Sequence, residues 1–310
     1  MAKEIKLDVK NVKLLSELEK DSRKPISQIA KRIKISKEVA NYRIKNLIKK
    51  GLIKRFIPVI DYFALNHKFY RLIINLHNLK YYIRKNIIEE LKKNKNIDLN
   101  VYLLSDWDLE INLWVKNSKE FYDFYNEFIE KYAEYIADKE FYIITKIYLF
   151  GHGYIHHNHR ETILGEEKKI VEIDETDERI IGEIEENPKI EILRLAEKLH
   201  ISPSKTNYRV KQLASKGILK CCIPIINQSL LGYNIYRIEI TLNNTLKKKE
   251  AIEYLASNNH VTKITEMIGR KDMDFEVEFK TTADLDAFLE DLRLKVPYIK
   301  DFEVINVLLD

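Results

Sequence analysis

The sequence predicts an α+β chain built twice on one plan, a winged helix-turn-helix followed by a ferredoxin-like βαββαβ domain. Three observations carry that expectation. First, the 310-residue chain repeats itself at an interval of 166. Leu7-Asp8 falls on Ile173-Asp174, Ile35-Ser36 on Ile201-Ser202, Asn41-Tyr42-Arg43 on Asn207-Tyr208-Arg209, Gly51 on Gly217, Pro58 on Pro224 and Tyr70-Arg71 on Tyr236-Arg237. Carried further, the interval sets Asp106 and Asp108 on Asp272 and Asp274. Second, each copy opens with apolar residues at helical spacing, cut by tight turns. Third, each copy closes with β-rich runs alternating with two helical segments. A period this long is a duplicated domain-sized unit, not a solenoid repeat.

The elements follow in order. Val9, Val12, Leu15 and Leu18, with Leu14 beside them, mark a first helix. Pro25 suits the first turn of a second helix, to Arg32, that buries Ile29 and Ile33. After the short turn at Lys34-Ile35, Ser36 caps a third helix running to about Lys50; its counterpart Ser202 is followed by Pro203 at the first helical position. Gly51 and Gly217 stand where a helix end favours a left-handed residue. The β patterns Leu52 to Ile60 and Ile218 to Ile226 are expected as wing hairpins. Beyond them each copy reads strand (Phe69 to Leu76; Ile235 to Leu242), helix (Ile83 to Lys93; Lys248 to Ser257) and strand (Ile97 to Leu104; Val261 to Ile268). A strand (Leu109 to Val115; Phe275 to Phe279), a helix (Glu120 to Tyr132; Asp284 to Leu294) and a last strand (Phe141 to Phe150; Phe302 to Leu309) complete the order βαββαβ. The expected domains are 1–66 and 171–232 for the helix-turn-helix units, 67–150 and 233–310 for the ferredoxin-like ones, and 151–170 for a histidine-rich linker.

Charge is unevenly placed. Residues 1–60 carry 17 Lys+Arg against 6 Asp+Glu, a local +11, whereas residues 167–226 carry 11 against 11. The second copy nevertheless has no carboxylate from Lys198 to Ile238. Both copies thus gather positive charge around the third helix, as a protein that meets nucleic acid does. No apolar run reaches membrane-spanning length and the N-terminus lacks a signal-peptide core, so a cytoplasmic protein is expected. The two cysteines, Cys221 and Cys222, make neither a disulfide framework nor a thiolate zinc site.

Leu7-Asp8, Ile29-Ala30-Lys31-Arg32, Ile35-Ser36, Arg43-Ile44-Lys45, Leu47, Gly51-Leu52-Ile53 and Gly269-Arg270-Lys271-Asp272, in this order over two copies, resemble the Lrp/AsnC family of prokaryotic transcription regulators. The resemblance covers nearly the whole chain twice. It implies binding of double-stranded DNA through the helix-turn-helix, pairing through the βαββαβ domains, and a small effector such as an amino acid received by those domains. Members usually carry one such unit per chain. A tandem chain implies an intrachain pseudo-dimer, open to further homo-oligomerisation.

On the third helix, Ala40, Ile44, Leu47 and Ile48 share the core arc. Lys37, Asn41, Tyr42, Lys45 and Lys49 in the first copy, and Lys205, Asn207, Tyr208 and Lys211 in the second, are the candidate DNA contacts, because amide, phenol and ammonium groups bond phosphates and base edges in a major groove. Arg43 and Arg209 either join them or tie helix to helix. In the family's effector loop, Gly-x-x-Asp falls at Gly269 and Asp272; Asp106 is the first-copy aspartate and Leu103 stands where the glycine would be. Ordinary turn chemistry is the alternative for both aspartates.

The linker holds His152, His156, His157 and His159 but no thiolate or regular element, so a polar connector without a metal is expected. No phosphate-cradling loop, nucleophile elbow or carboxylate pair appears, and no cofactor or enzymatic activity is expected. Siroheme decarboxylases share the two-part architecture. They favour a Trp-containing first ferredoxin-like strand, and Tyr70 to Leu76 and Tyr236 to Ile240 contain no Trp.

Overall fold

The computed structural model describes residues 4–77, 81–94, 97–101, 107–155, 161–166 and 169–307, with only the backbone for 81 and 98–101. In the first copy, helices α1 (Val9–Asp21), α2 (Ile26–Ile33) and α3 (Lys37–Lys49) lead into strands β1 (Ile53–Ile60) and β2 (Lys68–Leu76). There follow α4 (Tyr81–Leu91), β3 (Ile97–Val101), β4 (Leu109–Val115), α5 (Ser118–Tyr132) and β5 (Ile136–Leu149). After a short strand β6 (Thr162–Leu164), the second copy gives α6 (Glu175–Glu186), α7 (Ile192–Leu199), α8 (Pro203–Ser215), β7 (Leu219–Ile226) and β8 (Asn234–Leu242). It closes with α9 (Lys248–Ala256), β9 (Val261–Ile268), β10 (Met273–Phe279), α10 (Thr282–Lys295) and β11 (Ile299–Val307). These elements fall into two compact units, residues 1–65 with 150–234 and residues 66–149 with 235–310. Each unit therefore takes a half from each copy.

In the first unit the helix ends are made as the sequence expects. Ser36 and Ser202 accept the N–H of Val39 and Lys205 at 3.2 and 3.3 Å, and Gly51 and Gly217 take the left-handed conformation that ends α3 and α8. The tight turn between α2 and α3 puts Lys34 at φ 57, and His200 does the same at φ 55.

The wing differs from expectation. Neither β1 nor β7 folds back as a hairpin; the two strands pair with each other, antiparallel, in a two-stranded sheet. Within each run there is no glycine, asparagine or aspartate to make a two-residue turn, so the chain stays extended until the other copy satisfies its backbone. Each strand then delivers its end to the other copy's core. Ile226 and Leu231 pack with Leu14, Leu18, Ile29 and Leu47 of the first copy, while Ile60, with Leu65 against it, packs with Ile180, Ile184, Leu195 and Leu213 of the second. The exchange is reciprocal down to single hydrogen bonds. The N–H of Asn227 reaches Leu52 O and that of Asp61 reaches Ile218 O, both at 2.8 Å, and Ile5 to Leu230 is matched by Val171 to Ala64. A pseudo-two-fold relation is built into this unit.

Two smaller departures concern single residues. Val9 is exposed in the first turn of α1, where the core does not reach, and Ile48 lies on the rim of α3 rather than in its core arc. The described part of the linker is more apolar than expected: Ile155 is buried in the first core, and Tyr154 stacks on Tyr233 at 4.4 Å between centroids. His156, His157 and His159 lie outside the described residues.

In the second unit eight strands form one sheet in the order β11-β8-β10-β9-β5-β2-β4-β3. Numbered within each copy, this is the order 4-1-3-2 twice, the ferredoxin-like arrangement, joined by the antiparallel pair β5 and β9. Leu72, Ile74, Leu109 and Ile111 face Ile87 and Leu91 of α4 and Phe128 of α5. The intervening residues Arg71, Glu110 and Asn112 point to the opposite face and are buried too.

That face carries a second reciprocal exchange. Arg71 of β2 pairs with Asp274 of β10, and Arg237 of β8 pairs with Glu110 of β4. The correspondence overturns the constant repeat interval. The N–H groups of Leu76 and Leu242, 166 apart, bond to Asp108 and Asp272, which are 164 apart. Asn94 and Asn258, receiving the N–H of Ile97 and Val261, are also 164 apart. The second copy is thus two residues shorter between its first strand and this point. Asp272 corresponds to Asp108, not to Asp106, and Asp274 corresponds to Glu110.

Candidate nucleic-acid interface

The outward faces of α3 and α8 are set by what the opposite faces bury. Ala40, Ile44 and Leu47 are buried, as are Thr206 and Leu213 at equivalent points of α8. Thr206 satisfies its hydroxyl by donating to Ser202 O at 3.0 Å. The remaining arc of α3 presents Lys37, Asn41, Tyr42, Lys45 and Lys49, all exposed, with Tyr42 at 70%. On α8, Lys205, Tyr208 and Lys211 are exposed and Asn207 is half-buried. A large phenol left this open on a helix of cations has no packing purpose in its own domain.

Arg43 and Arg209 are not part of that open surface. Arg43 Nη1 bonds both carboxylate oxygens of Asp8, at 2.7 and 3.0 Å, and Asn11 Oδ1 at 2.9 Å. Arg209 bonds Asp174 and Asp177, each at 2.8 Å. Since Asp8 and Asp174 are the N-caps of α1 and α6, Arg43 ties α3 to the start of α1 and Arg209 ties α8 to the start of α6. The hydrogen bond from Arg43 holds the Asp8 carboxyl below its usual range, and the Asp177 N–H together with Arg209 does so for Asp174.

Beside α8 lies an open groove of about 650 Å³, lined by Lys205, Tyr208, Gln212 and Lys216 on one side and Glu172, Asp174 and Asp177 on the other. Gln212 donates to the Tyr208 hydroxyl at 3.1 Å, which fixes the ring's tip. Lys216, not singled out from the sequence as a contact, shares this face; its signal is the spacing of eight from Tyr208, about two helical turns.

The proposed effector residues are placed differently from one another. Asp272 Oδ2 accepts the Leu242 N–H at 2.7 Å, so its carboxylate closes a strand end, as Asp108 does in the first copy. Gly269 is not in a left-handed conformation; a Cβ there would clash with Tyr142 Cδ1 and lie 3.2 Å from Phe141 O, so the glycine admits the Tyr142 ring. Asp106 and Leu103 lie outside the described residues. Cys221 and Cys222 are buried, and burial pushes the Cys222 thiol up to about 12, which disfavours its thiolate. Among the described residues no group of three His, Cys, Asp or Glu is set to hold a metal, and no helix is long and apolar enough to cross a membrane.

A family model described as winged helix-turn-helix DNA-binding matches residues 7–54 and 173–220, the two segments that carry α1–α3 and α6–α8. The HTH-type transcriptional regulator LrpA of Bacillus subtilis is 32% identical over 130 residues, 41% of this chain and 93% of its own. The chain belongs to the Lrp/AsnC family of transcription regulators, in a tandem form. An uncharacterized HTH-type transcriptional regulator of Pyrococcus furiosus is 29% identical over 131 residues, 42% of this chain and 88% of its own. The crystal structure of the siroheme decarboxylase NirDL superposes with a TM-score of 0.66 over 96% of this chain and 90% of that one, at 14% identity. That likeness is one of fold: the tandem Lrp/AsnC architecture is shared by a protein with an enzyme's name.

Proposed function

We propose that this tandem Lrp/AsnC protein is a sequence-specific regulator that binds double-stranded DNA as a single-chain pseudo-dimer and does so without catalysis. The segments 1–66 and 171–232 serve as DNA-reading heads; 67–150 and 233–310 hold them together and respond to a small effector. The reading rests on one observation above all. Two copies of an Asn-Tyr-x-x-Lys sequence, each with its Tyr and Lys exposed, are carried on α3 and α8 within one unit whose copies exchange strands reciprocally. Two like heads related by a pseudo-two-fold favour two like half-sites in inverted orientation. Tyr42, Lys45, Tyr208 and Lys211 contact bases and phosphates, Lys37, Lys49 and Lys205 contact phosphates, and Asn41 and Asn207 flank them. Arg43 and Arg209 hold the helices in place. Selection of bound duplexes from a random pool is expected to return an imperfect inverted repeat, one half of which is lost on Tyr42→Ala and the other on Tyr208→Ala. Failure to enrich any sequence, or enrichment unchanged by both substitutions, would refute it.

The NirDL superposition over nearly the whole chain favours one second reading, a siroheme decarboxylase-like enzyme. Carbon dioxide release from siroheme by the purified chain would support it; its absence alongside a selected DNA site would leave the regulator.

A further inference from the structure

The first ferredoxin-like half carries a concavity whose lining residues the second half, built on the same scaffold, largely replaces. Its volume is about 640 Å³, within the range of small-molecule sites. Its floor is Tyr70, Phe121 and Ile143 and its walls are Tyr125 and Phe141. Tyr70 and Phe121 are stacked in parallel at 4.0 Å, while Phe141 and Tyr125 are tilted to Phe121 by 45° and 39°. A ring entering here meets both a π face and ring edges. Two of the aromatics are left open to solvent, Phe141 at 52% and Tyr122 at 62%.

The second copy shows that the fold does not need these rings. Asn117 and Thr281 are equivalent N-caps, 164 apart, so Phe121, Tyr122 and Tyr125 correspond to Leu285, Asp286 and Leu289. Glu140 and Glu303 pair with Ile73 and Glu239, which are themselves equivalent, so Phe141 and Ile143 correspond to Val304 and Asn306. Tyr70 has a tyrosine counterpart in Tyr236. Five aromatic or aliphatic positions of the first copy's concavity are thus smaller or polar in the second. Lys119 is the one charged residue among the described residues that line it. It forms an exposed pair with Asp123 one turn on, of the kind that costs little to exchange.

We propose that this concavity is a binding site for a small flat aromatic carboxylate, its ring held against Phe121 and Phe141 and its carboxylate by Lys119, with the phenols of Tyr122 and Tyr125 at the rim. The ring takes the place of water on the exposed face of Phe141. The anion is selected because the lining offers a cation and hydroxyl donors but no carboxylate. The site is present once per chain and is independent of how the helix-turn-helix units act.

The experiment is calorimetric titration of the full chain with phenylacetate, alongside cyclohexylacetate, phenylacetamide and acetate. Phenylacetate is expected to saturate with one site per chain, and the other three to bind at least several-fold more weakly. Phe141→Val, which installs the second copy's residue at an exposed position, is expected to weaken phenylacetate by roughly tenfold, and Tyr122→Asp to weaken it as well, with circular dichroism unchanged. Equal binding of cyclohexylacetate would refute the ring's role, equal binding of phenylacetamide the role of the anion, and indifference to Phe141→Val the location. Loss of a chain dimer on Phe141→Val, with no phenylacetate heat, would show that a second copy covers the face instead and would overturn the proposal.

Discussion

Ile60 belongs to the first copy by sequence but to the second copy's core by contact, and that makes its removal diagnostic. It is almost fully buried, beside Ile180, Ile184, Leu195 and Leu213. Ile60→Ala deletes three carbons, about 2.4 kcal/mol of transfer free energy at about 0.8 kcal/mol per methylene. The cavity left behind brings the cost to about 2–5 kcal/mol. In a protein whose whole stability is about 5–15 kcal/mol, a loss of this size shows clearly in a urea titration. Its location is the real test. Hydrogen exchange is expected to accelerate first in α6, α7 and α8, more than one hundred residues away along the chain, and the mirror substitution Ile226→Ala is expected to open α1, α2 and α3. Ile44→Ala, in a helix packed in its own copy's core, is the control and opens α1 to α3. If Ile60→Ala loosened α1 to α3 more than α6 to α8, the exchange of strand ends would be wrong.

Other outcomes follow from the same contacts. Arg71→Met leaves Asp274 buried without its partner and is expected to cost about 3–5 kcal/mol, whereas Arg71→Met with Asp274→Leu should recover most of it; additive losses in urea melts would count against the pair. Glu239, buried on β8, is pushed up to about 7 by burial. A carboxyl whose folded value lies above its unfolded one favours the fold while protonated, so stability from this group is full below about 4.5 and falls as pH rises through about 7. Glu239→Gln should flatten that slope and raise Tm at pH 8. Asp8 has the opposite sign: depressed by Arg43, it contributes stability above its ordinary value near 3.8 that is lost as pH falls through the folded value, and Arg43→Ala should remove this contribution. On DNA, Lys45→Ala should shrink the slope of log K against log salt by about 0.9, the share of one phosphate, while Arg43→Ala leaves the slope unchanged.

What the sequence made legible was local. Serine caps, left-handed glycines and apolar spacing are set by neighbours a few residues away, so α1 to α3 and α6 to α8 fell where their residues put them. The βαββαβ order was legible for the same reason. What escaped it depends on distant partners. A strand such as Ile53 to Ile60 reads the same whether it turns back or crosses to another copy, because its edge asks only for some backbone to pair with. The repeat interval slipped by two in a connection where few residues match, so no identity marked the slip. The two roles open to Arg43 call for the same side chain; only the fold brings Asp8, 35 residues earlier, within 2.7 Å of it.

A duplicated chain can do what two separate copies cannot: keep its mating surfaces alike while its outer surfaces diverge. The mating residues have stayed alike, with Arg71 matched by Arg237, Glu110 by Asp274 and Ile60 by Ile226. The residues that face outward have parted. Lys37 and Lys49 stand where the second copy has Pro203 and Ser215, Val39 where it has Lys205, and Phe141 where it has Val304. In a homodimer any substitution in one head appears in both, so an asymmetric target is met by two identical compromises. On the proposed reading, Tyr42 and Tyr208 would be the common anchor of the two helix-turn-helix units, and the lysine-rich unit and the leaner one would be fitted to the unequal halves of one site. The reciprocal strand exchange keeps that division of labour within a single molecule, because each head's core is completed only by the other copy.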